Sequence, residues 1–289
     1  MTAFNSILVP VDFSINTKVA VNKAIEMAVP GRSVIHLLHV LEKNVFRQVP
    51  IGASDMSIPV AVNKQNAEEK LLQLKACIWQ SLPANQVEIH VVVSNKVEDA
   101  IITIAKALLP DLIIIGKNNH HSFLPFLNTV FSANLAESTN CPVLTVKPGA
   151  VNKKLKTVVI PVSDFFPKRK IELLSALSLN NQLDVHLLTI THKSDRRDDF
   201  AGSALLHVMR TIRYKLQCML HHSRVHSDNK AMAILNYAEK VEADMLVVNP
   251  ESEATITTWM SKKDITDILR PATQLQVLSV QPNGKKLEF

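Results

Sequence analysis

Glycine is scarce in this sequence, with six in 289 residues against fourteen prolines. No two of Gly31, Gly52, Gly116, Gly149, Gly202 and Gly284 share a loop. That excludes a G-x-G-x-x-G fingerprint and a P-loop, which need several glycines within a few residues so that backbone amides can wrap a phosphate. Aromatic residues make up only 5% of the chain, and its net charge of +6 is spread out. Nucleic-acid binding wants clustered basic residues interleaved with stacking rings, so it is not expected. Lys153, Lys154 and Lys156 sit at a candidate linker and Lys168 to Lys170 open a candidate helix; both groups read as solvated basic surface. Cysteine is almost missing. Cys77, Cys141 and Cys218 are isolated, read as small apolar filler, and fit a reducing cytoplasm. No apolar run approaches the roughly 18 residues of a membrane span, and no charged-then-apolar leader opens the chain. A cytoplasmic protein without membrane partners is expected.

What is present is a regular α/β pattern of globular composition, 47% hydrophobic and 20% charged. The length fits two domains of about 140 to 150 residues. The stretch DLIIIGKNNHHSFLPFLNTVFSANLAESTNCPVLTVKP, Asp111 to Pro148, is the clearest unit. Leu112 to Ile115 is a short β-branched run suited to a strand buried on both faces, and Gly116 lets the backbone leave the sheet. A polar loop, a helix over Asn128 to Ser138 and a second strand over Pro142 to Val146 follow. Upstream, strands are expected at Ile7–Val11, Val34–Leu41 and Val87–Val93, with helices over Asn16–Val29 (Ser14 as its cap), Lys64–Leu82 and Val97–Leu109. On the second helix Leu71, Leu74 and Ile78 line one side, the pattern of a core-covering helix. This alternation predicts a five-stranded doubly wound parallel sheet.

The second half repeats the first. VVIPVSDF from Val158 echoes ILVPVDFS from Ile7, and DVHLLTITHK from Asp184 echoes VIHLLHVLEK from Val34. DMLVVNP from Asp244 echoes DLIIIGK from Asp111, and QVLSVQP from Gln276 echoes PVLTVKP from Pro142. Four matches in one order indicate a duplication. It predicts one domain over 1–149, a linker over 150–155 and a second domain over 156–283.

ILVPVDFS at the start, DLIIIG in the middle and NCPVLTVKP at the end resemble the universal stress protein family. The resemblance covers the whole first half and, more weakly, the second, so the chain looks like a tandem member. It implies two α/β domains of the adenine-nucleotide alpha-hydrolase-like kind, with strand order 3-2-1-4-5. Family members pair through their last strands, and tandem members form that pair within one chain, face to face or edge to edge. Further pairing into homodimers and an unidentified protein partner are left open.

The family's nucleotide-binding members use an aspartate after strand 1 for the adenosine and the pattern G-x2-G-x9-G-[S/T] after strand 4 for the phosphates. The matching crevice in the first half comprises Pro10, Val11, Asp12, Val40, Gly116, Asn119, Thr129 and Val130. Asp12 has two candidate roles, accepting hydrogen bonds from a ligand or capping the turn into the first helix. Gly116 keeps the first phosphate glycine; Asn119 and Thr129 replace the next two, and Val130 replaces the hydroxyl. Side chains there obstruct close approach of backbone amides to phosphate oxygens, although Asn119, Thr129, Lys117, His120 and His121 offer donors or charge. In the second half Ser163 takes the place of Asp12, with Asp164 one step beyond. Asn249 takes that of Gly116 and is followed by Pro250, which has no amide hydrogen; the remaining positions fall near Ser252, Lys262 and Lys263.

Other chemistry is not expected. His36 and His39 lie three apart on a strand and point to opposite faces, while His120-His121 and His221-His222 are diverging neighbours. None has a Cys, Asp or Glu at ligand spacing, so no metal is expected. There is no nucleophile elbow. Hydrolysis would want a base and a metal-binding carboxylate, and only Asp12 is in range. The expected function is a non-enzymatic stress-response protein with a degraded nucleotide site and no cofactor, acting through protein contacts or a small ligand. The alternative is an ATP- or AMP-binding switch in the first-half crevice.

Overall fold

In the computed structural model, residues 4–43, 60–81, 86–117, 132–150, 154–162, 167–179, 181–191, 198–257, 262–270 and 272–281 are described. The first half runs β1 (Ser6–Pro10), α1 (Ile15–Met27), β2 (Val34–Glu42), α2 (Val60–Ile78), β3 (Val87–Ser94), α3 (Val97–Leu108), β4 (Leu112–Gly116), α4 (Ser132–Thr139) and β5 (Val143–Val146). The second runs β6 (Thr157–Val162), α5 (Lys168–Leu177), β7 (Asp184–Thr191), α6 (Asp198–Lys215), β8 (Met219–His226), α7 (Lys230–Lys240) and β9 (Met245–Val248). A π-helical turn (Pro250–Ala254) then leads to a short antiparallel pair, β10 (Thr255–Thr257) and β11 (Lys262–Asp264). The chain continues through α8 (Ile265–Ile268) to β12 (Gln276–Ser279).

The strands join in one ten-stranded sheet, β3-β2-β1-β4-β5-β12-β9-β6-β7-β8. The first half thus has the order 3-2-1-4-5 and the second mirrors it. Within this sheet the pairing inside each half is parallel, whereas β5 and β12 pair antiparallel, Leu144 opposite Leu278. The halves therefore meet edge to edge. This removes the exposed last-strand edge that each half would present alone.

Alternation along the strands sorts the core into layers. Ile7, Val9, Ile35, Leu37 and Ile114 face one side in a cluster that continues through Leu144 and Leu278 to Val158 and Ile160. Leu8, Leu38, Val40, Ile113 and Ile115 face the other, packed with α3 and α4 residues. On α2, Leu71 and Ile78 are buried, whereas Cys77, one step round from that stripe, is exposed and so is not core filler. Arg169 at the start of α5 donates to the Asn140 side chain (2.6 Å) and main-chain carbonyl, tying the halves together at the end of α4. Gly149 is a packing glycine at the same junction: a Cβ there would lie 2.2 Å from the Ala272 carbonyl oxygen.

Duplication is visible in the backbone chemistry. Asp111 Oδ2 accepts from the N–H groups of Asn5 and Ser6 (2.8 and 3.1 Å), and Asp244 Oδ2 accepts from those of Lys156 and Thr157 (2.9 and 2.8 Å). Each aspartate, just before its strand 4, fixes the start of the neighbouring strand 1. Two residues earlier, Leu109 and Glu242 both adopt left-handed backbone, φ 49° and 50°. Among the described residues no helix is long and apolar enough to cross a membrane.

Candidate functional site

A doubly wound sheet opens a crevice where its connections diverge, at the carboxyl ends of strands 1 and 4. In the first half these ends are Pro10 of β1 and Gly116 of β4. Pro10, Val11 and Val40 are buried. Asn119, Thr129 and Val130, with His120 and His121, lie outside the described residues.

Asp12 divides its work between its two oxygens. Oδ1 accepts from the Ser14 N–H (3.0 Å), the Ser14 hydroxyl (2.5 Å) and the Thr17 hydroxyl (2.7 Å). The Asp12 N–H in turn donates to Thr17 Oγ1 (2.9 Å), and the Ser14 hydroxyl caps α1 by accepting from the Asn16 N–H (3.1 Å). Capping is thus a role Asp12 fills. Oδ2 is buried and has no hydrogen-bond partner among the described residues. Asn16 Oδ1, four residues on, is a second buried acceptor in the same condition.

Gly116 has a reason to be glycine that involves no ligand. A Cβ there would stand 2.0 Å from the carbonyl oxygen of Asn16 and 2.5 Å from its carbon. The end of β4 thus rests against the first turn of α1, a contact only glycine permits.

Three residues absent from the sequence-level site shape its mouth. Phe13 adopts a left-handed backbone (φ 59°) and its ring lies 4.6 Å from that of His39, centroid to centroid. Lys70 of α2 places its ammonium 5.4 Å from the Phe13 centroid, within cation–π range. His39 donates from Nδ1 to the Val11 carbonyl oxygen (2.7 Å), holding the chain where β1 ends and β2 runs on. Burial pushes the His39 pKa below its ordinary value, and Lys70 adds to that; the Val11 carbonyl and Asp12 oppose it. Burial likewise depresses His36, His90, His186 and His222.

Because the folded chain resists protonating these rings, the unfolded chain binds more protons below the ordinary histidine pKa of about 6.5, and stability rises with pH through that range. Urea unfolding is therefore expected at a lower midpoint at pH 5.5 than at pH 7.5, with a shallower pH slope for His39→Gln. A flat profile would show that these rings take up protons freely in the folded state.

At the second-half strand ends a buried ion pair joins α5 to the π turn. Lys170 of α5 and Glu253 of the π turn form an ion pair of 2.6 Å, their side chains 2% and 3% exposed. Lys170 also donates to the Pro161 carbonyl (3.2 Å) at the end of β6. The Asn249 N–H, at the position of Gly116, donates to Glu253 Oε2 (2.8 Å), and the Glu253 N–H returns a bond to the Asn249 carbonyl (3.0 Å). An internal carboxylate thus stands beside Asn249, at the end of β9. Ser163 and Asp164 lie outside the described residues. Lys170 is not solvated basic surface, and neither are Lys117 and Lys147, which are also buried. The sequence carries a signal for Lys170: it shares the i, i+4, i+7 stripe of Leu174 and Leu177 and so faces the core.

Contrary to the sequence spacing, one histidine pair has a carboxylate within reach. Glu88 and His90 alternate on β3 and so share a face, and β2 places His36 beside them. Elsewhere a hollow of about 480 Å³ opens between β8 and α7, lined in part by Arg224, His226 and Tyr237. It sits at the outer edge of the sheet, away from both strand-end crevices.

The model of the Universal stress protein family matches residues 3–147, half of the chain. The chain belongs to that family. Universal stress protein A homolog 1 of Coxiella burnetii is 26% identical over 147 residues, which cover 50% of this chain and 96% of the relative. Over the full length, the crystal structure of a universal stress protein from Archaeoglobus fulgidus superposes with a TM-score of 0.62 at 17% identity, covering 97% of this chain and 99% of that one. A putative universal stress protein from Pseudomonas aeruginosa gives 0.57 at 15% identity, covering 97% and 94%. At those identities the likeness is one of fold. This universal stress protein therefore shares with them an architecture that spans both halves.

Proposed function

We propose that this universal stress protein is a non-enzymatic stress-response protein that binds a small ligand in its first-half crevice, the second half serving as a structural partner closed to ligands. The contrast between the two crevices carries this reading. Among the described residues at the second-half strand ends, Lys170, Glu253, the Pro161 carbonyl and the Asn249 N–H answer one another. In the first half Asp12 Oδ2 and Asn16 Oδ1 are buried acceptors without partners among the described residues. Buried acceptors want donors. A ligand carrying hydroxyl or amine hydrogens, such as the ribose or base of a nucleoside, meets that need, with the Lys70 ammonium near the mouth for a single anionic group.

A triphosphate gains less. Of the glycine pattern only Gly116 persists, and its lack of a side chain is already required by Asn16. Asp12 Oδ1, committed to three hydrogen bonds, is poorly placed to act as a base, in keeping with binding without turnover.

Calorimetric titration with AMP and ATP tests the reading. AMP is expected to bind, ATP no more tightly than AMP, and Asp12→Asn to weaken both at least about tenfold, since a hydrogen bond to a charged group is worth roughly 1.5–3 kcal/mol. Asparagine retains an acceptor for the turn, so the folded variant remains testable. ATP binding far tighter than AMP would restore a phosphate cradle, and an unchanged affinity in Asp12→Asn would remove Asp12 from the site.

A further inference from the structure

At the outer edge of the first half, away from the strand-end crevice, three side chains converge. In the β2–β3 register His36 lies beside Glu88 and Leu38 beside His90, so His36, Glu88 and His90 occupy one face. His36 Nδ1 is 3.2 Å from His90 Nε2 and 3.2 Å from Glu88 Oε2, and the last two are 3.9 Å apart. From this the geometry points to a divalent transition-metal site with His36, Glu88 and His90 as its three protein ligands and an open fourth position.

Tetrahedral zinc bound at about 2.0–2.1 Å sets neighbouring ligand atoms about 3.3–3.4 Å apart. Two of the three edges here are already near that value. The third needs Glu88 to turn by a fraction of an ångström, and its side chain is 56% exposed on the edge strand. Two imidazoles and one carboxylate suit zinc and its neighbours better than magnesium or calcium, which prefer oxygen alone. A hydrogen bond is a poorer occupant. One proton on His36 Nδ1 serves Glu88 or His90 well but not both, whereas a cation between the three serves all of them. His36 is buried and anchors the site, while Glu88 and His90 leave it open to solvent.

The second half shows the same place without the ligands. His186 stacks on His221 and Ser223 stands where His90 does; the Asp184 charge acts on His186, but among the described residues no carboxylate completes a metal-ligating group there. Tyr237 of α7 closes that cluster, its hydroxyl 3.1 Å from His186 Nδ1 and donating to Ser223 Oγ (2.8 Å). Counted from the helix starts, the residue of α3 at that position is Ile104, which brings no hydroxyl to His36. A side-chain network fills the second-half cluster; the first-half cluster has room for a cation.

The test is zinc titration of the chelator-stripped full chain, by calorimetry and by competition with a chromophoric chelator. One equivalent is expected to bind in a manner that depends on the triad. Glu88→Gln and His90→Gln, both on the accessible edge strand, are expected to weaken that equivalent about a hundredfold or more, exceeding the 10–100-fold typical of residues that merely support a metal ligand. His186→Ala and His221→Ala are expected to leave it intact. Cobalt should show the visible bands of a four-coordinate ion in the wild type and lose them in His90→Gln. No binding by the wild type, an equivalent that survives both Glu88→Gln and His90→Gln, or one lost with His221→Ala would each overturn the assignment.

Discussion

Replacing Glu253 by alanine is expected to destabilise the protein by about 3–5 kcal/mol, the range seen when one partner of a buried ion pair is removed. Lys170 would be left at 2% exposure with only the Pro161 carbonyl as a named partner, and the Asn249 N–H would lose its acceptor. Burial already pushes the Lys170 pKa down, and Glu253 opposes that shift. Without Glu253 the lysine pKa falls further, so the folded chain sheds a proton that the unfolded chain keeps. Stability then rises with pH, and the deficit of Glu253→Ala narrows as pH climbs toward the ordinary lysine range. The double variant Lys170→Met/Glu253→Leu removes both charges and is expected to recover most of the loss, since apolar replacements of buried pairs are often neutral or better. Urea unfolding of the three proteins gives the answer. A Glu253→Ala penalty under about 0.5 kcal/mol, the range of ordinary surface substitutions, would mean that water reaches the pair.

Gly116→Ala is the second large effect. The added Cβ would fall 2.0 Å from the Asn16 carbonyl oxygen, and the obstacle is main chain, which cannot rotate aside. β4 and the first turn of α1 must part, at a cost of at least the roughly 1–3 kcal/mol of an overpacked core. Because Asp12 and Thr17 are bonded across the same turn, the distortion is expected to reach the crevice and weaken ligand binding together with stability. Thermal unfolding without ligand separates this from a phosphate-binding role. A variant of full stability that lost only ligand affinity would show that the glycine serves the ligand rather than the packing.

The order of elements and the duplication were legible in the sequence because they rest on local signals, whereas the strand order 3-2-1-4-5 was implied by the family resemblance. Runs such as Leu112–Ile115 and Met245–Val248 are buried on both faces and bounded by polar turns, so they announce themselves twice at matching positions. Asp12 was legible as a residue with two candidate roles, and the structure gives one oxygen to the turn and leaves the other without a partner. What the sequence hid depends on pairing between distant segments. Lys170 and Glu253 are 83 residues apart and His36 and His90 are 54 apart; only the sheet brings them together. The fit of Gly116 against Asn16 is set by the separation of a helix and a strand, which no pattern of residue types encodes. Phe13 was invisible for a related reason: its left-handed backbone is unusual for a bulky residue, and only the turn it occupies makes it so.

The unequal pair of crevices is tested most directly by the number of ligand molecules bound per chain. Calorimetric titration of the full chain with AMP is expected to saturate at one equivalent, with Glu253 and Lys170 keeping the second crevice closed. Two equivalents would show that the buried ion pair does not bar a ligand, and none would show that the unpartnered oxygen of Asp12 is not a binding group.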